Sequence, residues 1–257
     1  MEPSPRHASF RFYAELNDHL LPDQRYRTLE KTFFVPGTVK DMIESFGVPH
    51  TEIDLIIANG RSVDFSYTVR HGDRISVYPV FESIDITPEL RIRPQPLRNP
   101  KFVLDVHLGR LAAYLRMLGF DAEYRRDASD AELVDISSGE RRILLTRDRG
   151  LLRHSAVTHG YWLRQTDSRR QTAEVISRFD LKRSMRPFSR CMACNGAIRP
   201  VSQEEALHRL GARRVGIYDE FRQCPDCRRI YWKGSHYVRM QRWIDRLVSG
   251  AGDMADG

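Results

Sequence analysis

The stretch KFVLDVHLGRLAAYLRMLGFDAEY, residues 101–124, carries the reading of the fold. Its first apolar run stops at Asp105. Leu108, Leu111, Ala112, Leu115 and Leu118 then recur at helical spacing before Gly119, a residue suited to ending a helix. Downstream, Ser129-Asp130 open a second helical stretch in ASDAELVDISS, and the apolar run RILLT reaches Arg147-Asp148 before the leucines of GLLRH. Strand, helix, strand, helix, strand predicts an α/β domain with a parallel sheet, and the leucines are its core.

Asp105 and Asp148 each close an apolar run and precede a helix, so both are expected at the carboxyl edge of that sheet, where α/β proteins bind ligands. Asp130 heads the intervening helix, with Glu132 and Asp135 close behind. Gathered carboxylates repel unless a cation sits among them, and hard ions such as Mg²⁺ or Mn²⁺ prefer oxygen ligands. A metal-dependent phosphodiesterase is the chemistry this pattern points to. A plainer reading stands beside it, in which Asp130 is an N-cap and Asp105 and Asp148 are capping or loop residues. Arg141, Arg142, Arg147, Arg149 and Arg153 suit phosphate contacts or a solvated face. His107 and His154 are lone histidines with no pattern that marks them as ligands.

Working back toward the N-terminus, SFRFYAEL alternates apolar and polar residues, Pro36-Gly37 makes a turn, and TVKDMIESFG reads as a short helix. DLIIANG ends in Asn59-Gly60, which with Arg61 and Ser62 makes a hairpin turn into VDFSYTV, and His71-Gly72-Asp73 leads into RISVYPVF. Strand, strand, helix, strand, strand predicts an α+β domain of the ubiquitin-like, β-grasp kind. Residues 59–81 look like the tail half of the sulfur-carrier proteins of molybdopterin and thiamine synthesis. Those carriers need a free Gly-Gly C-terminus, whereas this chain continues through FESIDITPEL, which weighs against sulfur transfer and leaves a docking or structural role. Pro88, Pro94, Pro96 and Pro100 mark a stiff linker.

Toward the C-terminus, Cys191-Met192-Ala193-Cys194 and Cys224-Pro225-Asp226-Cys227 are separated by 29 residues. Two C-x-x-C turns supply four thiolates, enough to close a tetrahedral zinc site with no open position, so the predicted metal is structural. Redox use would need an exposed, activated thiolate in each pair. NGAIRP and RRIYW are candidate ribbon strands, and His208 and His236 are possible but superfluous ligands. In YWKGSHYVRMQRWIDRLVSG, Tyr231, Trp232, Tyr237 and Trp243 interleave with Lys233, Arg239, Arg242 and Arg246. Such a tail can stack bases of single-stranded RNA. Equally, Val238, Trp243, Ile244 and Leu247 can form the buried face of a last helix.

The chain of 257 residues has a formal net charge of +7. Residues 1–97 hold 11 Lys+Arg against 14 Asp+Glu, residues 98–190 hold 19 against 12, and residues 191–257 hold 11 against 8. The basic excess therefore sits with the α/β and cysteine segments, which suits either a polyanion binder or a solvated basic face. No apolar run reaches membrane-spanning length and Met1–Ser9 lacks an apolar signal core, so the expectation is a cytoplasmic protein, where thiols stay reduced.

FVLDVHLGRLAAYLRMLGFD, SDAEL, RILLTRDRGLL, the two cysteine pairs and YWKGSH together resemble the mut-seven C-terminal RNase domain family. The resemblance implies a PIN-like nuclease fold fused to a zinc ribbon and preceded by a ubiquitin-like domain. It implies an RNase site of Asp105, Asp130 and Asp148 holding Mg²⁺ or Mn²⁺. Glu132 is the nearest candidate for a fourth acidic residue, and Asp121 lies in the same motif block. Arg110, Arg147, Arg149 and Lys233 are the expected RNA contacts, with RNA the expected partner and a protein partner expected on the ubiquitin-like domain. The expected domains are 8–87 β-grasp, 88–100 linker, 101–187 PIN-like, 188–248 zinc ribbon with C-terminal helix, and 249–257 disordered tail. Two other functions compete: a non-catalytic RNA-binding adaptor on a degenerate PIN-like fold, and a sulfur-transfer accessory protein.

Overall fold

The computed structural model describes residues 4–79, 100–210 and 217–249. The predicted linker up to Asn99, the tail beyond Ser249, the stretch FESIDITPEL and the side chain of His208 lie outside the described residues. In chain order the elements are β1 (Arg6–Phe12), β2 (Thr28–Phe33), α1 (Val39–Ser45), β3 (Ile53–Ala58), β4 (Arg61–Val63), β5 (Arg74–Pro79), β6 (Phe102–Leu104), α2 (Gly109–Met117), β7 (Ala122–Tyr124), α3 (Asp130–Gly139), β8 (Ile143–Thr146) and α4 (Arg149–Leu152). They continue with β9 (Gly160–Trp162), α5 (Ser168–Arg178), β10 (Arg199–Val201), α6 (Gln203–Leu210), β11 (Phe221–Gln223), β12 (Ile230–Trp232) and α7 (Ser235–Ser249). No helix among the described residues is long and apolar enough to cross a membrane. The chain forms two compact units, Met1–Asn99 with Asp130–Trp162, and Pro100–Ser129 with Leu163–Gly257.

The first unit contains a five-stranded sheet in the order β2-β1-β5-β3-β4. β1 runs parallel to β5 and antiparallel to β2, the mixed pairing of a β-grasp. Alternate residues of β1 turn Ala8, Phe10 and Phe12 inward against Ile43 of α1 and Ile56, Ile75 and Val77 of the sheet. Asn59 and Gly60 take positive φ of 51° and 81°, as a two-residue type I′ turn requires, so Arg61 and Ser62, expected in the turn, instead belong to β4 and pair with Ala58 and Ile57.

Two predicted strands are shorter than expected. SFRFYAEL stops at Phe12, because Asn17 turns its side-chain amide back onto the Phe12 and Ala14 carbonyls and a 3₁₀ turn follows over Ala14–His19. VDFSYTV stops at Val63, because Asp64 Oδ1 accepts from both Ser66 N–H and Ser66 Oγ–H and closes a turn there. In the same unit β8 pairs in parallel with β9, a three-residue strand that periodicity could not announce. All four residues of β8 are buried, as in a strand covered on both faces.

The β-grasp domain and the 130–162 segment share buried polar contacts. Glu52 Oε1 accepts from Trp162 N–H at 2.6 Å, and Glu52 Oε2 lies 2.8 Å from His19 Nε2, both side chains being almost wholly buried. His50 Nε2 lies 2.9 Å from the Val157 carbonyl. The Arg149 guanidinium sits 4.1 Å from the Trp162 ring centre and donates to the carbonyls of His19 and Asp18.

In the second unit β6 and β7 pair in parallel, and α2 packs on α5, whose N-terminus is capped by Asp167. Gly119 ends α2 at φ 94°, and a Cβ there would meet the Arg186 carbonyl oxygen at 2.3 Å, so glycine is required twice over. β10, β11 and β12 form an antiparallel ribbon, with β11 leading into the second cysteine pair. α7 buries Trp243, Ile244 and Leu247, and Trp243 lies against Tyr114 of α2 at 5.0 Å between ring centres. Val238, expected on that buried face, is exposed, because at about 100° per residue it lies on the opposite side of α7 from Trp243 and Leu247.

Candidate functional site

The two cysteine pairs fold as near copies. Cys191 N–H donates to the Gly196 carbonyl and Cys224 N–H to that of Arg229, while the N–H groups of Asn195 and Arg228 return to the carbonyls of Cys191 and Cys224. The residue after each second cysteine takes positive φ, 71° at Asn195 and 63° at Arg228. This conformation is easy for Asn and costs Arg roughly 1 kcal/mol. Both turns aim their sulfurs inward, with Cys191 and Cys227 Sγ 3.4 Å apart and Cys194 and Cys224 Sγ also 3.4 Å apart.

All four sulfurs lie within 4.8 Å of one another. Zinc–sulfur bonds of about 2.3 Å set tetrahedral edges of about 3.8 Å, so the donor set fits a closed, structural zinc ion. Proton affinities tell the same story. Burial pushes the Cys191 thiol up, but the Tyr231 hydroxyl at 3.0 Å and nearby backbone N–H groups outweigh it and bring the thiol down to about 6. Burial and neighbouring sulfurs push Cys194 up to about 12. The Cys191 thiolate forms readily while Cys194 and Cys227 resist, a frustration that a divalent cation removes. His236 is exposed and paired with Arg239, so it is not part of this set.

Buried polar groups tie the first pair to α2 and β7. Arg116, only 4 % exposed, donates from Nε to the Ala122 carbonyl and from Nη1 to the carbonyls of Met192 and Ala193. Asn195 accepts from Ala122 N–H and donates to Asp121, which also faces Arg190 at 3.4 Å. Asp121 therefore serves as an anchor for the cysteine turn. The alternation of DAEY alone does not reveal it, since its partner lies 74 residues away.

The predicted acidic residues fall at element boundaries. Asp105, half-buried, follows β6 directly and starts a 3₁₀ turn without a side-chain capping bond to it. Asp130 is the exposed first residue of α3, and Glu132 is exposed on its first turn. Asp148, exposed, follows β8 by two residues; its N–H donates to Thr146 Oγ1 and its Oδ1 caps α4 by accepting from Gly150 N–H at 2.7 Å. Asp105 belongs to one compact unit and Asp130 and Asp148 to the other. Among the described residues, the cysteine quartet is the one group of three or more His, Cys, Asp or Glu side chains close enough to share an ion.

The predicted RNA contacts differ in how committed they are. Arg110 and Arg147 are exposed. Arg149 is held by Trp162 and two carbonyls, and Lys233 pairs with Glu220 at 2.7 Å in an exposed ion pair. Of the other arginines, Arg142 is buried and bonded to Glu140. A cavity of about 220 Å³, not foreseen as such, opens on the ribbon between β12, the start of α7 and Phe188.

A β-grasp domain, a parallel α/β domain and a closed four-thiolate centre define a composite α/β protein whose C-terminal part is a zinc ribbon. A family model described as the Mut7-C RNAse domain matches residues 100–244, more than half of the chain, and one described as Mut7-C ubiquitin matches residues 6–85. The chain belongs to the Mut7-C RNAse domain family, with a PIN-like nuclease fold, a zinc ribbon and a ubiquitin-like domain in front. No curated protein and no solved structure matches it.

Proposed function

We propose that the protein is a metal-dependent ribonuclease that hydrolyses RNA phosphodiester bonds, with Asp105, Asp130 and Asp148 as ligands of Mg²⁺ or Mn²⁺ and a separate zinc ion at the four cysteines. The observation that carries this is the position of Asp105 and Asp148, each just beyond a buried parallel strand, in a chain of an RNase-domain family. Carboxylate oxygens are the right chemistry for these ions. Mg²⁺ completes a carboxylate site with water and substrate phosphate, so protein oxygens need to supply only part of its shell. The ion supplies an activated water and charge neutralisation at the phosphate. The chain's own part is to fix Asp148 through Thr146 behind it and Gly150 ahead of it, and to offer Arg110 and Arg147 to phosphates.

In this proposal the protein works in the reducing cytoplasm. Its ubiquitin-like domain recruits a protein partner, for which Phe34 and Val35, both exposed and adjacent, supply apolar contact. The adaptor reading draws support from Asp148, whose carboxylate already caps α4.

Cleavage of single-stranded RNA with and without Mn²⁺, by the wild type and Asp148→Asn, tests the reading. Asn caps a helix as well as Asp does, so this change removes charge and leaves the fold in place. The variant should lose more than the roughly hundredfold typical of a lost outer-shell partner. A wild type that cuts nothing, or a variant that cuts equally well, contradicts the proposal.

A further inference from the structure

The cavity on the ribbon has one wall of rings. Phe188 and Tyr237 lie 4.5 Å apart between ring centres at 36°, and Tyr231 and Trp232 continue the surface from β12. The Tyr231 hydroxyl is held 3.0 Å from Cys191 Sγ, which turns its polar end toward the four-sulfur centre and leaves the ring as lining. All four rings are half-buried, so they are braced and yet reachable.

The rim is charged. Arg222 and Lys233 are exposed there with Glu220, and Arg190 lies behind, anchored on the Asn195 carbonyl. Arg190 is also paired with Asp121 and Arg222 donates to the Phe188 carbonyl at 3.4 Å, so the exposed rim offers two cations, Arg222 and Lys233, beside one carboxylate. The Lys233–Glu220 pair is exposed, and such pairs contribute little, so Lys233 can exchange its partner for a phosphate at small cost. A cavity of about 220 Å³ falls below the size usual for drug-sized ligands but admits one flat heterocycle.

From this combination we infer a subsite for one unpaired base of an RNA strand, stacked on the ring wall, with an adjoining phosphate on Arg222 and Lys233. It rests on the reading that RNA is the substrate. Unpaired bases stack on aromatic side chains, whereas a duplex keeps its bases inside and cannot present one.

The test uses the full chain carrying Asp148→Asn, so that the probe survives, and follows tryptophan fluorescence and anisotropy with an eight-nucleotide oligoadenylate and with its duplex. The single strand should bind at least about tenfold tighter than the duplex and quench fluorescence, and Trp232→Ala should weaken it about tenfold or more. Trp232→Phe, which keeps a stacking face, should recover most of that loss. Zinc content reports folding, and if Trp232→Ala loses zinc, the exposed pair Arg222→Glu with Lys233→Glu replaces it with the same expected loss. Duplex binding equal to single-strand binding, or a zinc-replete variant that binds within about twofold of its parent, overturns the subsite. Wild-type cleavage measured in parallel separates the two readings: cleavage with ring-independent binding sinks the subsite alone, and ring-dependent binding without cleavage sinks the nuclease alone.

Discussion

Two junctions in this molecule solve one problem by different means. The β-grasp domain meets β9 through a carboxylate, Glu52, that serves a strand N–H and a buried histidine. The first cysteine turn meets α2 and β7 through Arg116 and Asn195, which satisfy backbone groups on both sides. In each case a buried polar side chain bonds groups on both sides, which favours one docking geometry over others, since any slip strands a polar group away from water. The difference lies in what stands behind the junction. Phe10, Phe12 and their neighbours give the β-grasp domain a core of its own, whereas the ribbon has three-residue strands and depends on its sulfurs.

Removing metal should separate the two regions most strongly. Structural zinc contributes about 10 kcal/mol or more of apparent folding free energy in small zinc modules. Chelation, or Cys224→Ser, should erase amide-exchange protection across β10–β12 while that of β1, β3 and β5 persists. Equal loss in both regions would show that the ribbon and the β-grasp core are not independent. Next in size, Glu52→Ala should cost about 3 kcal/mol in denaturant unfolding, because His19 and Trp162 N–H lose a buried partner. Gly119→Ala should match Glu52→Ala at about 3 kcal/mol, because its positive φ and the overlap of the new Cβ with the Arg186 backbone carbonyl add, read as a fall in thermal midpoint. Smallest is Arg116→Met, which should cost about 2 kcal/mol, less than Glu52→Ala because the Ala193 carbonyl is near solvent and can be hydrated.

The elements legible in the sequence were those with a local code. Leu108 to Leu118 fixed α2, Asn59-Gly60 its hairpin and the C-x-x-C pairs their turns, since spacing and φ requirements reside in a few neighbouring residues. β9 was not legible, because three residues carry no period, and neither was the end of VDFSYTV, where one Asx turn overrode good strand formers. The roles of Asp121, Arg116 and Glu52 depend on partners roughly 70 to 110 residues away, beyond the reach of any local pattern. Arg149 shows the same limit from the other side: a basic residue beside Asp148 suggested phosphate, and the structure engages its guanidinium with Trp162 and the β-grasp domain. Lone charges carry no address.

In the proposed function two chemically distinct metal sites divide the labour, thiolates for architecture and aspartates for reaction. The most direct measurement compares the wild type with the double variant Asp105→Asn with Asp148→Asn, counting bound zinc and following Mn²⁺-dependent RNA cleavage on the same samples. One zinc per chain in both proteins, with cleavage only by the wild type, is the predicted result; zinc lost with the aspartates, or cleavage that survives without them, would contradict it.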